Sequence, residues 1–171
     1  SFHLPDTKSR AIDFEITLIA SVDDLTFGDT KEGSFGIRMA PAYRLKGNVA
    51  QGSALNSDGV AGNLVWGKRA SWISYWAPFN DEEIGISIFD HPSNLRHPTW
   101  WHARDYGLVA ANPFGVSNFE GKPKGTGDLV LGKGEEITFR YRVLFHLGNP
   151  KDAEISQRYL DWSKKKERLN N

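Results

Sequence analysis

The chain predicts an all-β fold: an antiparallel β-sandwich with a short C-terminal helix. Three observations carry this. Apolar residues alternate with period two, glycine-bearing turns separate the alternating runs, and a helical stripe occurs only near the end. In AIDFEITLIA (11–20), Ile12, Phe14, Ile16, Leu18 and Ala20 share one face, while Asp13, Glu15 and Thr17 take the other. ITFRYRVLFH (137–146) repeats the pattern: Ile137, Phe139, Tyr141, Val143 and Phe145 point inward, and Thr138, Arg140, Arg142 and His146 outward. EIGISIF (83–89) aligns Ile84, Ile86 and Ile88. ASWISYWAP (70–78) and YGLVAANP (106–113) also read as strands, the first with Trp72 and Trp76 on one face and Tyr75 on the other. GSFGIRMAP (33–41) is a short strand that brings Arg38 to its end.

The turns are DDLTFGDTKEG, SDGVAG, GKPKGTGD and GKGEE. Residues 42–62, polar and glycine-bearing, read as a surface loop. Asp152 is placed to cap a helix over AEISQRYLDWSKKKERL, with Ile155, Tyr159 and Trp162 on one stripe. The basic run Lys164–Lys166 suits a solvated helix end. No linker divides the sequence, so residues 1–171 are expected to form a single β-sandwich domain.

Composition narrows function by exclusion. Lys+Arg and Asp+Glu both number 21, which gives no electrostatic case for nucleic acid or an anionic membrane. No apolar run approaches the roughly 20 residues of a membrane-spanning helix. The absence of Cys removes disulfides, thiolate chemistry and cysteine zinc sites, and suits an oxidising or a reducing compartment. No nucleophile elbow, P-loop or dinucleotide fingerprint occurs, so no cofactor is assigned.

The chemistry gathers in DHPSNLRHPTWWHARDYGL (90–108), which holds three of the five histidines. Read as a strand, TWWHAR projects Trp100, His102 and Arg104 from one face and Trp101, Ala103 and Asp105 from the other. That trio suits a sugar or sugar acid. An indole covers an apolar ring face, an imidazole moves a proton near neutral pH, and a guanidinium forks onto a carboxylate. The structural alternative pairs Arg104 with Asp90 or Asp105 while a tryptophan fills the core. His91, His97 and His102 raise a metal question, but their spacing matches neither the two-histidine helical motif nor a finger, and no metal ligand is assigned. His91 and His97 both precede proline, which favours extended backbone. Asp90 suits an Asx turn, and Asn112 before Pro113 suits a turn cap or a ligand contact. Lys68 and Arg69 precede the strand at 70–78. Asp90, Asp105 and Glu120 are the nearby carboxylates, with no acid/base pair assignable among them.

Taken together, GSFGIRMAPAY, GKRASWISYW, IGISIFDHPSNLRHPTWWHARDYGLVAANPFG and ITFRYRVLFHLG resemble the bacterial PmoA-like proteins, often labelled "methane oxygenase PmoA". The resemblance covers most of the chain and is most specific in the DHPSN…WHARDYGL…NPFG block. It implies a sandwich of the galactose-mutarotase type and a role in sugar binding or modification. Carried over residue by residue, it marks Arg38, Lys68, His91, Asn94, Arg96, His102, Arg104 and Asn112. Members are usually longer, with a histidine-rich N-terminal half, so the resemblance implies either the C-terminal portion of such a protein or a shortened version of it.

Four readings stay open. One is an enzyme acting on a carbohydrate, with His102 or His91 as acid/base and Arg38, Arg96 and Arg104 as grips. The second is a binding module needing only the aromatic platform, Trp100 included. The third is a metal site on the three histidines. The fourth is assembly into a homo-oligomer through open sheet edges.

Overall fold

A computed structural model of the chain describes residues 1–164. The strands, in chain order, are β1 (Phe2–Asp6), β2 (Ser9–Ile19), β3 (Leu25–Phe27), β4 (Phe35–Arg38), β5 (Ser53–Asn56), β6 (Trp72–Phe79), β7 (Glu82–Asp90), β8 (Trp100–Ala103), β9 (Leu108–Asn112), β10 (Leu129–Leu131) and β11 (Glu136–Leu147). Among the described residues two α-helices occur, α1 (Val116–Glu120) and α2 (Ile155–Ser163). A six-stranded antiparallel sheet runs β1-β2-β11-β7-β6-β5, a three-stranded sheet runs β4-β9-β8, and β10 pairs with β3. The chain is an antiparallel β-sandwich, as its periodicity predicts.

Strand alternation builds the core between the two larger sheets. Trp101 and Ala103 of β8 and Val109 and Ala111 of β9 meet Ile73, Tyr75, Ile88, Phe139 and Tyr141 of the six-stranded sheet. Trp101 is fully buried, and its indole N–H donates to the Ala70 carbonyl at 2.9 Å. Phe14 and Leu18 of β2 pack against this core, whereas Ile16, expected inward, is 36% exposed. Phe145, also expected inward, is exposed too. The strands of the small sheet have four or five residues against twelve in β11, so the long strands overhang their cover.

The outer face of the six-stranded sheet has its own apolar cluster. Ala11, Trp72, Phe89 and Leu144 lie under Ala153, Ile155, Tyr159 and Trp162 of the C-terminal segment. This explains why Trp72 is buried on the face opposite Tyr75. The stripe of α2 matches expectation, but its start does not. Asp152 is not the cap: its carboxylate accepts from Asn149 Nδ2 at 2.7 Å, and Glu154, with φ of 52°, precedes the first helical residue. Lys164 follows the helix, while Lys165, Lys166 and the residues beyond lie outside the described residues.

Residues 42–62 are not simply a loop. They contain the end of a short 3-10 turn (Pro41–Tyr43) and β5, the edge strand on β6. Ala54 of β5 enters the core, and Asn56 Oδ1 accepts from the backbone N–H of Asp58 and Val60 to close the following turn.

His146, expected at the surface, is 3% exposed. Its Nε2 lies 3.0 Å from Ser87 Oγ, itself bonded to Ser74 Oγ at 2.9 Å. The ring lies flat over Gly85, its cross-strand neighbour, where a Cβ would run into the imidazole. Gly85→Ala is therefore expected to cost about 1–3 kcal/mol by overpacking. Urea unfolding checks this, and an unchanged midpoint would show that the ring is seated elsewhere.

Candidate functional site

The 90–108 stretch crosses from one sheet to the other. β7 ends at Asp90 in the six-stranded sheet, and β8 starts at Trp100 in the three-stranded one. Asp90 organises the crossing. Fully buried, it accepts from Asn94 Nδ2 at 2.7 Å, His97 Nδ1 at 2.7 Å and the Thr99 backbone N–H at 2.9 Å. Asn94 also donates to the Arg140 carbonyl and accepts from the Arg140 N–H, both at 2.7 Å. His97 Nε2 lies 3.4 Å from the Tyr159 hydroxyl. Arg96, at φ of 57°, donates to the carbonyls of Pro113, Gly127 and Asp128. Asn112 caps the next turn, accepting from Phe114 and Gly115 N–H and donating to the Thr30 carbonyl. Asn94, Arg96 and Asn112 thus spend hydrogen bonds on the loop framework.

The two histidines expected as acid/base lie on opposite outer faces. His91 sits over the six-stranded sheet, bonded to Ser93 and edge-on to Trp162 at 5.1 Å. With Asp13, Glu15, Arg140 and Trp162 it lines a cleft of about 510 Å³. Charge there is largely matched within the chain: Arg142 forks onto Asp13 at 2.6 and 2.7 Å, and Arg140 meets Glu15 at 2.9 Å. His102 sits on the outer face of the three-stranded sheet, opposite Trp101 and Ala103. His97, held by Asp90, joins neither, so the convergence that a three-histidine metal site needs is not formed. Among the described residues no group of three His, Cys, Asp or Glu is placed to hold a metal.

His102 is the most unusual group of the stretch. It is 3% exposed, its ring lies 6.4 Å from both Trp66 and Phe119, and its Nδ1 is buried without a hydrogen-bond partner. Burial pushes its pKa down from the ordinary 6.5, Glu32 pulls it up, and Arg104 and Lys31 push it down further. The imidazole is therefore mainly neutral at pH 7, the form that accepts a proton. Trp100 is not an open plate. Arg69 lies 4.5 Å over its ring, and its indole N–H donates to Glu120 at 3.2 Å. Lys68 is exposed beside β8, where its carbonyl accepts from Trp101 N–H.

β8 is the last strand of its sheet; residues 67–70 bond along its outer side, and a cleft of about 260 Å³, the β8-edge cleft, opens past its end at Ala103. Lys46, Asn63, Trp66, Ala103, Arg104 and Asp105 line it. Next to it the 104–107 turn presents Tyr106, with the Arg38 guanidinium 5.1 Å and the Arg104 guanidinium 5.5 Å from the ring centre. Arg104 pairs with neither Asp90 nor Asp105. Of the expected residues, Arg38, His102 and Arg104 therefore gather at one end of the three-stranded sheet.

The model of a family of unknown function, DUF6807, matches residues 1–160. The chain belongs to the DUF6807 family. No curated protein and no solved structure matches it. Among its described residues, no helix is long and apolar enough to cross a membrane.

In this DUF6807 chain the sequence reading missed Trp66, Lys46, Arg44 and Tyr106. Trp66 follows a short 3-10 turn (Gly62–Val65) and precedes Gly67, whose φ of 70° turns the chain back along β8. The adjacent Trp-Gly pair was the available signal. Arg44 and Lys46 fall within residues 42–62, whose polar, glycine-bearing sequence reads as a loop, and Tyr106 reads only as a strand residue.

Proposed function

We propose that this chain binds a carbohydrate or sugar-acid ligand in the β8-edge cleft, against Trp66 and beside His102, with Arg104 gripping its oxygens. One observation carries the reading. A nearly inaccessible histidine, His102, keeps a ring nitrogen unpaired, and its ring lies 6.4 Å from Trp66, the indole that lines a cleft together with an amide, a carboxylate and two cations. Buried polar groups are ordinarily satisfied, and an orphan beside a cleft supports a ligand that completes it. The aromatic surface suits an apolar sugar face, and the mixed polar rim suits hydroxyls. Kinship with PmoA-like proteins and with galactose-mutarotase-type sandwiches belongs to this proposal, and the sandwich architecture supports it. So does the expected homo-oligomer, which rests on the β1 edge, where Phe2 and Leu4 are exposed.

Titration with a panel of neutral and acidic mono- and disaccharides tests the proposal, followed by tryptophan fluorescence for binding and proton NMR for conversion of the sugar. Saturable binding that weakens about tenfold in Trp66→Ala and in His102→Ala, with circular dichroism unchanged, is the expected result; tenfold corresponds to about 1.4 kcal/mol. Conversion that disappears in His102→Ala would make His102 the acid/base. Conversion that persists would leave it a binding group. If no panel sugar binds, the proposal fails.

A further inference from the structure

We infer that the 104–107 turn is an oxyanion clamp, so that the ligand of the β8-edge cleft carries a carboxylate or phosphate rather than hydroxyls alone. This rests on the cleft being a ligand site, and it adds the ligand's charge and the residues that select it. The argument is a mismatch of donors and acceptors. Arg38 and Arg104 bring two guanidinium groups onto one tyrosine ring, and neither forms an ion pair with the described residues. Arg44 packs by Gly107 with its Nε buried and without an acceptor, and Trp66 Nε1 is buried and unpaired in the same way. Lys46 adds an ammonium to the lining, while the single carboxylate there is Asp105.

Guanidinium, ammonium and indole N–H groups only donate. Hydroxyls both donate and accept, so a neutral sugar is matched by a balanced lining. A surplus of unpaired donors is matched by a group that only accepts, and an ionised oxyanion is such a group. Charge-assisted bonds to it are also the shorter and stronger kind, and Arg presents the planar fork that fits two oxygens at once. Asn63 and Asp105, on the same cleft, remain to meet hydroxyls of the attached ring. Arg38, Arg44, Lys46 and Arg104 thus become specificity residues, with Tyr106 holding two of them in place.

The test is calorimetric titration of the full chain, at low salt, with glucuronate, glucose, glucose 6-phosphate and inorganic phosphate. The expected result is that glucuronate or glucose 6-phosphate binds at least tenfold tighter than glucose, with the preference shrinking toward unity in Arg104→Gln, in Arg38→Gln and at high salt. Glucuronate ahead of glucose 6-phosphate identifies a sugar acid; the reverse order identifies a sugar phosphate. Glucose binding as tightly as both anions overturns the clamp and leaves the carbohydrate site standing. Inorganic phosphate binding as tightly as the charged sugars supports the clamp and removes the sugar. Binding of none of the four overturns the clamp and the site together.

Discussion

Asp90→Ala should lose about 3–5 kcal/mol of stability, the size expected when one member of a buried charged network is removed. The carboxylate is fully buried and serves three donors, from Asn94, His97 and Thr99. Truncation leaves all of them without their acceptor, and each buried group orphaned in this way costs about 1–3 kcal/mol before relaxation. The loss spreads because the partners hold other parts. Asn94 clasps β11 through both Arg140 backbone groups, and His97 reaches the Tyr159 hydroxyl on α2. Asp90→Asn keeps one accepting oxygen and should lose less. Urea unfolding at pH 7 reads both variants. An Asp90→Ala midpoint close to that of the unmodified chain would mean that the crossing between the sheets stands without its carboxylate.

Mild acid should weaken the fold by about 3 kcal/mol, mostly through His146. Burial pushes that imidazole from its ordinary 6.5 down to about 4; the nearby Leu147 and Gly148 backbone pulls it up, and Arg158 pushes it down. Between those values the unfolded chain binds a proton that the folded chain excludes. Stability is therefore complete above pH 6.5 and declines as pH falls toward 4, by 1.36 kcal/mol for each unit of displacement. His102, also pushed down by burial, adds in the same direction. The exposed Asp6 acts in a separate range. Its hydrogen bond from Arg158 holds its carboxyl at about 2, so its contribution is lost only as pH falls below 3.8. Urea midpoints measured from pH 7 to pH 4 should slope steeply for the native sequence and much less for His146→Asn. Equal slopes would place the acid sensitivity elsewhere.

The strands were legible because a half-buried sheet imposes an alternation that few other structures produce. Phe139, Tyr141, Trp101 and Ala103 land where that alternation puts them. It does not report how far the facing sheet extends, which is why Ile16 and Phe145 were misread. Nor does it reveal a second cover: His146 is buried on a nominally outer face because Gly85 leaves room for its ring. β5 was too short and polar to register as a strand, and the start of α2 depends on Asn149 holding Asp152, a tertiary choice between two polar side chains.

The candidate site was legible in part. The 90–108 stretch is unusual, as its composition indicates, but most of its polar groups build the passage between the sheets. Spacing along the chain cannot show that His91 and His102 end on opposite faces, because the separation arises from a change of sheet. Trp66, Arg44 and Lys46 come to β8 from a distant segment. Only the register of the folded chain brings them there.

The position of β11 also bears on how the chain is made. It lies between β2 and β7, and pairs such as Ile12 with Val143 join residues far apart in sequence. During synthesis the β1–β2 hairpin and the β5–β6–β7 meander must wait as separate pieces until residues 136–147 leave the ribosome. Long-range pairing of this kind is slow, and waiting strands offer unpaired edges to neighbours. A chain interrupted before Glu136 would therefore be left with two half-sheets that have nothing between them, open to chaperones and proteases. The keystone is delivered only after the strands it joins.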